Sequence, residues 1–295
     1  MSENKIDPRL FDLYDKYCHG YLERREFLQK AMAIAVGVTS ASALIESLMP
    51  DYANAQMVSF TDERIRGEYV TYPSPRGSGT MRGYLVRPMG QNARPAPGVL
   101  VIHENRGLNP HIEDVARRAA IEGFLALAPD GLTPAGGYPG NDDAGRALQQ
   151  QIDPEQLKQD MIASAQFLAS HSDCTGALGV TGFCWGGGMT GTLAVELGNL
   201  VRAAVPFYGG QPASEDVSRI SAPLLIQYAE NDPRINAGWP DFEAALRANN
   251  VNYQMHMYPD TLHGFHNNST PRYNPEAAEL AWERTVEFFR EHLSD

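Results

Sequence analysis

The sequence predicts an α/β fold: a mostly parallel sheet with helices on both faces. Three observations predict it. Short apolar runs bounded by turn residues recur along the chain, stretches of helical periodicity separate them, and one glycine-flanked turn, Gly182 to Gly188, joins a strand to a helix. With 295 residues and 43% hydrophobic content the chain can bury a substantial core, and no repeat or low-complexity tract divides it.

The first 56 residues stand apart from the domain expected over 57–295. Arg24-Arg25-Glu26-Phe27-Leu28-Gln29-Lys30 precedes a mildly apolar stretch, Ala31 to Ile45, and Ala53-Asn54-Ala55 follows. Paired arginines, an apolar segment too short to span a bilayer and an A-x-A site resemble a twin-arginine export signal, which implies a periplasmic or exported protein. The alternative is a retained, cytoplasmic N-terminal extension. Phe11 to Leu28 suits one amphipathic helix, with Leu10, Leu13, Tyr14, Tyr17 and Tyr21 at helical spacing.

From Glu68 the elements follow in order. Glu68 to Tyr72 and Met81 to Arg87 read as antiparallel strands around the turn-rich Pro73 to Gly79. Pro97 to His103 is a continuous apolar run, as expected of a strand buried on both faces. Ile112 to Glu122 has helical periodicity, Phe124 to Ala128 is a strand, and Pro154 to Ser170 is a helix; between them lies the polar, glycine-rich stretch Asp130 to Gly145, a candidate lid. Ala177 to Thr181 leads into the glycine turn, and Met189 to Leu197 is the helix beyond it. Strands at Arg202 to Pro206, Leu224 to Tyr228 and Tyr253 to Tyr258 then alternate with helices at Trp239 to Ala248 and Pro275 to Leu293.

The turn carries chemistry. Gly182-Phe183-Cys184-Trp185-Gly186 is G-x-C-x-G, a strand, a sharp turn and a helix with a thiol at the apex, where glycines remove the Cβ atoms that would clash. In a parallel sheet functional groups gather at the carboxyl ends of strands, so partners of Cys184 are expected after later strands. Asp232 follows the strand ending at Tyr228, and His263 follows the one ending at Tyr258. The order Cys184, Asp232, His263 is the nucleophile, acid, base order of the α/β-hydrolase fold. An imidazole takes the thiol proton, and a carboxylate fixes the imidazole's tautomer. The amides of Trp185 and of Asn105, in the loop after an earlier strand, are the candidate oxyanion donors. Glu104 in that loop is either a switchable base or a residue turned outwards. Activity is expected to fall as pH drops through the pKa of His263, nominally about 6.5.

Other chemistries find less support. A formal charge of -12 disfavours nucleic acid and anionic membrane surfaces as partners, and no stable membrane insertion is expected. Cys18, Cys174 and Cys184 lack even pairing or C-x-x-C spacing, which leaves Cys18 and Cys174 without an assigned role. His103, His111, His256, His263 and His266 form no H-E-x-x-H, so no catalytic metal is expected.

The residues Gly182 to Gly187, Glu104, Asp232 and His263-Gly264-Phe265 resemble the dienelactone hydrolase, or carboxymethylenebutenolidase, family from about Arg82 to the C-terminus. The resemblance implies a cofactor-free hydrolase of small esters or lactones, with a resting thiol held near Glu104 until an anionic substrate draws that glutamate away. It also implies that Phe207 and Tyr208 line the pocket. Where the family has a carboxylate-binding arginine after the histidine, this chain has Asn267, with Arg106 and Arg272 as candidate substitutes. A thioesterase or peptidase using the same triad, and a binding protein on a retained hydrolase fold, are the alternatives. Oligomeric state is not legible.

Overall fold

The computed structural model describes residues 7–34, 48–90 and 95–294. The helices among them are α1 (Pro8–Cys18), α2 (Arg24–Ile34), α3 (Tyr52–Ala55), α4 (Pro110–Ile121), α5 (Asp142–Gln149), α6 (Pro154–Ala169), α7 (Trp185–Leu197), α8 (Pro233–Asn236), α9 (Trp239–Ala248) and α10 (Pro275–Leu293). The strands are β1 (Ile65–Ser74), β2 (Gly79–Pro88), β3 (Ala96–Ile102), β4 (Leu125–Pro129), β5 (Cys174–Phe183), β6 (Val201–Phe207), β7 (Leu224–Asn231) and β8 (Tyr253–Leu262).

The eight strands form one sheet in the order β1-β2-β4-β3-β5-β6-β7-β8. Pairing is antiparallel at β1–β2 and β2–β4 and parallel from β4 through to β8. Crossover helices therefore cover both faces. One apolar layer joins α4 and α10 to the sheet through residues such as Ile112, Val115, Ala281 and Phe289, and the other joins α6, α7 and α9 through Met161, Leu193 and Phe242. The continuous apolar runs of β3, β4 and β6 are the consequence of being buried on both sides. Register sets the functional edge: Ile102 pairs with Gly182 and Phe183 with Phe207, so the loops after β3, β5 and β6 emerge side by side.

Helix starts carry the expected caps. Asp7, Asn109, Asn141, Asp153 and Asn274 each accept a backbone N–H from the first turn they precede. The end of the glycine-rich stretch after β4 begins α5, which runs on to Gln149 and whose short polar pattern hid it in the sequence.

The N-terminal segment departs from the expected single helix over 11–28. The chain turns at Gly20, where φ is 78°, and two helices result, α1 and α2. They share a small core of their own, Leu10, Tyr14, Tyr17, Phe27, Ala31 and Leu48, with Tyr17 stacked on Phe27 at 5.0 Å. Tyr21, expected on the apolar stripe, lies past the turn and is exposed. Of the export-signal features, 35–45 lies outside the described residues, and Ala53 to Ala55 sit within α3. No helix among the described residues is long and apolar enough to cross a membrane.

Candidate active site

Cys184 lies between β5 and α7 with φ 57° and ψ -113°, a conformation an L-residue adopts only when its surroundings hold it there. The flanking glycines explain how it is held. A Cβ on Gly182 would stand 2.3 Å from the carbonyl oxygen of Gly186, and one on Gly186 would stand 2.5 Å from the carbonyls of Ile102 and His103. The Cys184 N–H donates to the carbonyl of Phe207 at 3.1 Å, which ties the turn to the end of β6.

Two imidazoles face the sulfur. His263 follows β8, and its Nδ1 is 2.6 Å from Asp232 Oδ2, with both side chains buried. Asp232 is fixed in turn as the N-cap of α8, accepting from the Ile235 N–H at 3.3 Å. With Nδ1 so held, Nε2 of His263 is the free nitrogen; it is buried and without a hydrogen-bond partner. The second ring, absent from the sequence expectations, is His19 at the end of α1. Its Nε2 is 3.3 Å from Cys184 Sγ, and its Nδ1 is 2.8 Å from the Asp15 carbonyl and 3.3 Å from the Asp15 carboxylate. The rings stand edge to face with centroids 5.2 Å apart, and one ligand-type atom each of His19, Cys184 and His263 lie within 4.8 Å of one another. The signal that could have found His19 was Asp15-x-x-x-His19, an i, i+4 pair on a helix, but nothing local ties such a pair to a thiol 165 residues away.

The electrostatics follow from this crowding. Burial works against the thiolate, but the His263 and His19 rings outweigh it and hold the Cys184 thiol well below its ordinary value. Burial likewise opposes the charged form of His263, yet the sulfur and Asp232 push the ring up to about 9. His19 goes further, against burial, to about 11 through Cys184 and Asp15. The direction of these shifts favours a thiolate beside imidazolium over a neutral thiol–imidazole pair.

The sulfur opens into a cavity of about 550 Å³ whose wall includes His19, Asn105, Trp185, Met189 and Gln211. Trp185 begins α7, so its N–H is one of those a helix leaves without an intrahelical acceptor. The Asn105 side chain is turned to the N-terminal segment, donating to the Cys18 carbonyl at 2.8 Å. A second cavity, of about 520 Å³, lies between α1 and the other side of the dyad, lined by Phe11, Asp15, Arg234, His263 and Arg272.

The sequence profile of the Dienelactone hydrolase family matches residues 81–293. The chain belongs to that family. A second profile, YqhI-like, matches residues 1–37. A Saccharolobus solfataricus protein provisionally named a carboxymethylenebutenolidase is 32% identical over 248 residues, covering 71% of this chain and 93% of its own. A 115-residue stretch is 62% identical to an Escherichia coli K12 protein provisionally named the hydrolase fragment YghX, covering 39% of this chain and 97% of that one. Among solved structures, P91, a dienelactone hydrolase-like promiscuous phosphotriesterase from metagenomic libraries, superposes with a TM-score of 0.68 at 26% identity over 78% of this chain and 100% of that one. As a member of the dienelactone hydrolase family, the protein is a carboxylic ester hydrolase.

Several residues expected at the dienelactone hydrolase pocket have other places. Glu104 is not turned outwards: it is buried, and Asn267 Nδ2 donates to its Oε2 at 3.2 Å, while the group hydrogen-bonded to the sulfur is His19. Burial raises its carboxyl above the ordinary range, against the pull of Arg106. Asn267 is wholly buried and braces this loop instead of facing a substrate. Phe207 and Tyr208 do not line the pocket. They are fully buried in the sheet layer beneath it, because β6 is covered on both faces, with the Tyr208 ring edge-on to His263 at 5.0 Å. Arg106 is an internal residue, paired at 2.6 Å with Asp142. Arg272 does reach the second cavity, but its guanidinium lies 3.8 Å from Asp15.

Proposed function

We propose that this ester hydrolase acts on small carboxylic esters or lactones through Cys184, with His263 and Asp232 completing a triad and the acyl group passing through a thioester. The observation that carries the reading is the strained thiol of Cys184 within reach of an imidazole whose far nitrogen is locked 2.6 Å from Asp232. Attack by the thiolate on the carbonyl gives a tetrahedral oxyanion, which the backbone amides of Trp185 and Asn105 would receive. Collapse expels the alcohol and leaves the acyl group on sulfur; water activated by His263 then releases the acid. Glu104, held by Asn267 beside this chemistry, is proposed to tune the thiolate through its charge.

The charge pattern supports an uncharged substrate. Four arginines stand at or near the site, and each already faces a carboxylate of the chain: Arg106 that of Asp142, Arg146 that of Asp143, and Arg234 and Arg272 that of Asp15. A carboxylate-bearing lactone would have to displace Asp15, whereas a neutral short ester would not. The test compares a dienelactone with a short aryl ester, with Cys184→Ala as the blank. The expected result is cysteine-dependent turnover that favours the neutral ester. Equal turnover by Cys184→Ala would contradict the nucleophile, and a preference for the dienelactone would contradict the substrate assignment.

The contacts of Cys18, Asp15 and Tyr17 with the domain further support an N-terminal segment that stays attached. N-terminal sequencing of the native protein checks this: cleavage after Ala55 would contradict it.

A further inference from the structure

Cys184 is served by two Asp–His dyads, and a triad needs only one. The first, Asp232–His263, comes from the strand ends. The second, Asp15–His19, comes from α1, and the contacts around it are specific. Arg234 and Arg272 hold Asp15 at 3.6 and 3.8 Å, Asn105 holds the Cys18 carbonyl at 2.8 Å, and Arg146 bonds the Tyr17 carbonyl. Four side chains of the hydrolase domain thus fix the five residues that carry His19, and His19 itself touches the sulfur at 3.3 Å.

The two rings also face different spaces. The cavity that holds the sulfur, Trp185 and Asn105 is lined by His19 and not by His263. His263 and Asp232 line the cavity on the opposite side. A leaving group expelled into the first cavity meets the His19 ring.

Resting on the thiol mechanism above, we infer that His19 is a second catalytic imidazole: the general acid that protonates the leaving oxygen, delivered to the site by the N-terminal segment. The protons balance through both half-reactions. The S–C bond forms from the thiolate, the C–O bond breaks, and the Nε2 proton of His19 goes to the departing oxygen, giving the free alcohol and a neutral ring. Arg234 Nη2, only a donor, stands 3.1 Å from that nitrogen and 3.4 Å from His263 Nδ1, and can donate to the His19 Nε2 lone pair once its proton has gone. Acylation removes the sulfur's charge, which favoured the proton on both rings, and the extra proton then passes from His263 to His19 beside Asp15. The one proton left on the two rings then resides on His19, which frees His263 as base. Water adds to the thioester, its proton goes to His263, the C–S bond breaks, and the acid leaves as carboxylate with one proton lost to solvent. The thiolate and both protonated rings are restored.

Leaving-group dependence separates this role from mere support of the site. A nitrophenolate leaves without a proton and an alkoxide does not, so His19→Ala is expected to lower kcat/KM for ethyl butanoate on the order of a hundredfold while changing that for 4-nitrophenyl butanoate only a few-fold. His19→Gln, which keeps bulk and hydrogen bonding but cannot transfer a proton, should show the same split, and it covers the case in which the alanine variant loosens α1. An equal fall on both esters, or no fall on either, would overturn the inference. Cys184→Ala run in parallel keeps the two readings distinct: its loss of both activities upholds the thiol mechanism whatever His19 does, and its retention of them refutes that mechanism itself.

Discussion

The two regions that converge on Cys184 are built in opposite ways. The Asp232–His263 dyad grows from the ends of β7, a mostly buried strand, and of β8, the half-exposed edge strand beside it, with Asp232 fixed as the N-cap of α8. The Asp15–His19 dyad sits on an 11-residue helix with a core of only a few side chains, joined to the domain by hydrogen bonds and ion pairs at its surface. A dyad made from the sheet shares the stability of the whole domain, whereas one made from a helix pair can leave with that pair. The same chemical unit thus rests on the main sheet in one place and on a small separate core in the other.

Substitutions at the shared atom and at each dyad should rank accordingly. Cys184→Ala removes what both dyads serve, and turnover of any ester should fall on the order of 10⁵-fold. His263→Ala should cost on the order of 10⁴-fold on aryl and alkyl esters alike, since its ring is needed in both half-reactions. Steady-state kinetics on the two esters check this, and a loss confined to alkyl esters would invert the roles given to the two rings.

The pH profile sharpens the same comparison. The thiol of Cys184 is held well below its ordinary value, so the thiolate persists as pH falls through neutrality, while His263 keeps its proton until about 9. The log of kcat/KM for an alkyl ester should therefore stay flat through neutrality and past 9, and fall only toward about 11, where the His19 imidazolium, the proposed acid for the leaving oxygen, is lost. A descending limb centred near 6.5 would mean a neutral thiol–imidazole pair instead.

Much of this site is legible in the amino-acid sequence, and the reason is local. The G-x-C-x-G turn is a contiguous pattern, and in a parallel sheet the partners of a nucleophile must follow later strands, so Asp232 and His263 can be found by counting strands. β6 also reads correctly as a strand, but that Phe207 at its end and Tyr208 just past it are wholly buried depends on what covers the sheet, which no local pattern shows. His19 is illegible for a stronger reason: its closeness to Cys184 depends on ion pairs of Asp15 with Arg234 and Arg272, which lie far along the chain. The polar, acidic character of 1–23 suits a solvated leader as well as a helix with one buried face.

The smallest effects expected are on stability. Gly182→Ala places a methyl 2.3 Å from a backbone carbonyl that cannot move without disturbing the turn, and should cost about 1–3 kcal/mol in denaturant unfolding. Asp15→Asn, which removes the carboxylate facing His19, Arg234 and Arg272, should cost about 1 kcal/mol in the main transition. A large loss there would show that α1 is part of the domain's cooperative core.

The most direct test of the central claim is to quench the protein with acid during turnover of 4-nitrophenyl butanoate and map the acyl group by peptide mass. A butanoyl group on the peptide containing Cys184, absent from Cys184→Ala, is the predicted result. An acyl group on any other residue, or turnover that survives in Cys184→Ala, would contradict the thiol mechanism.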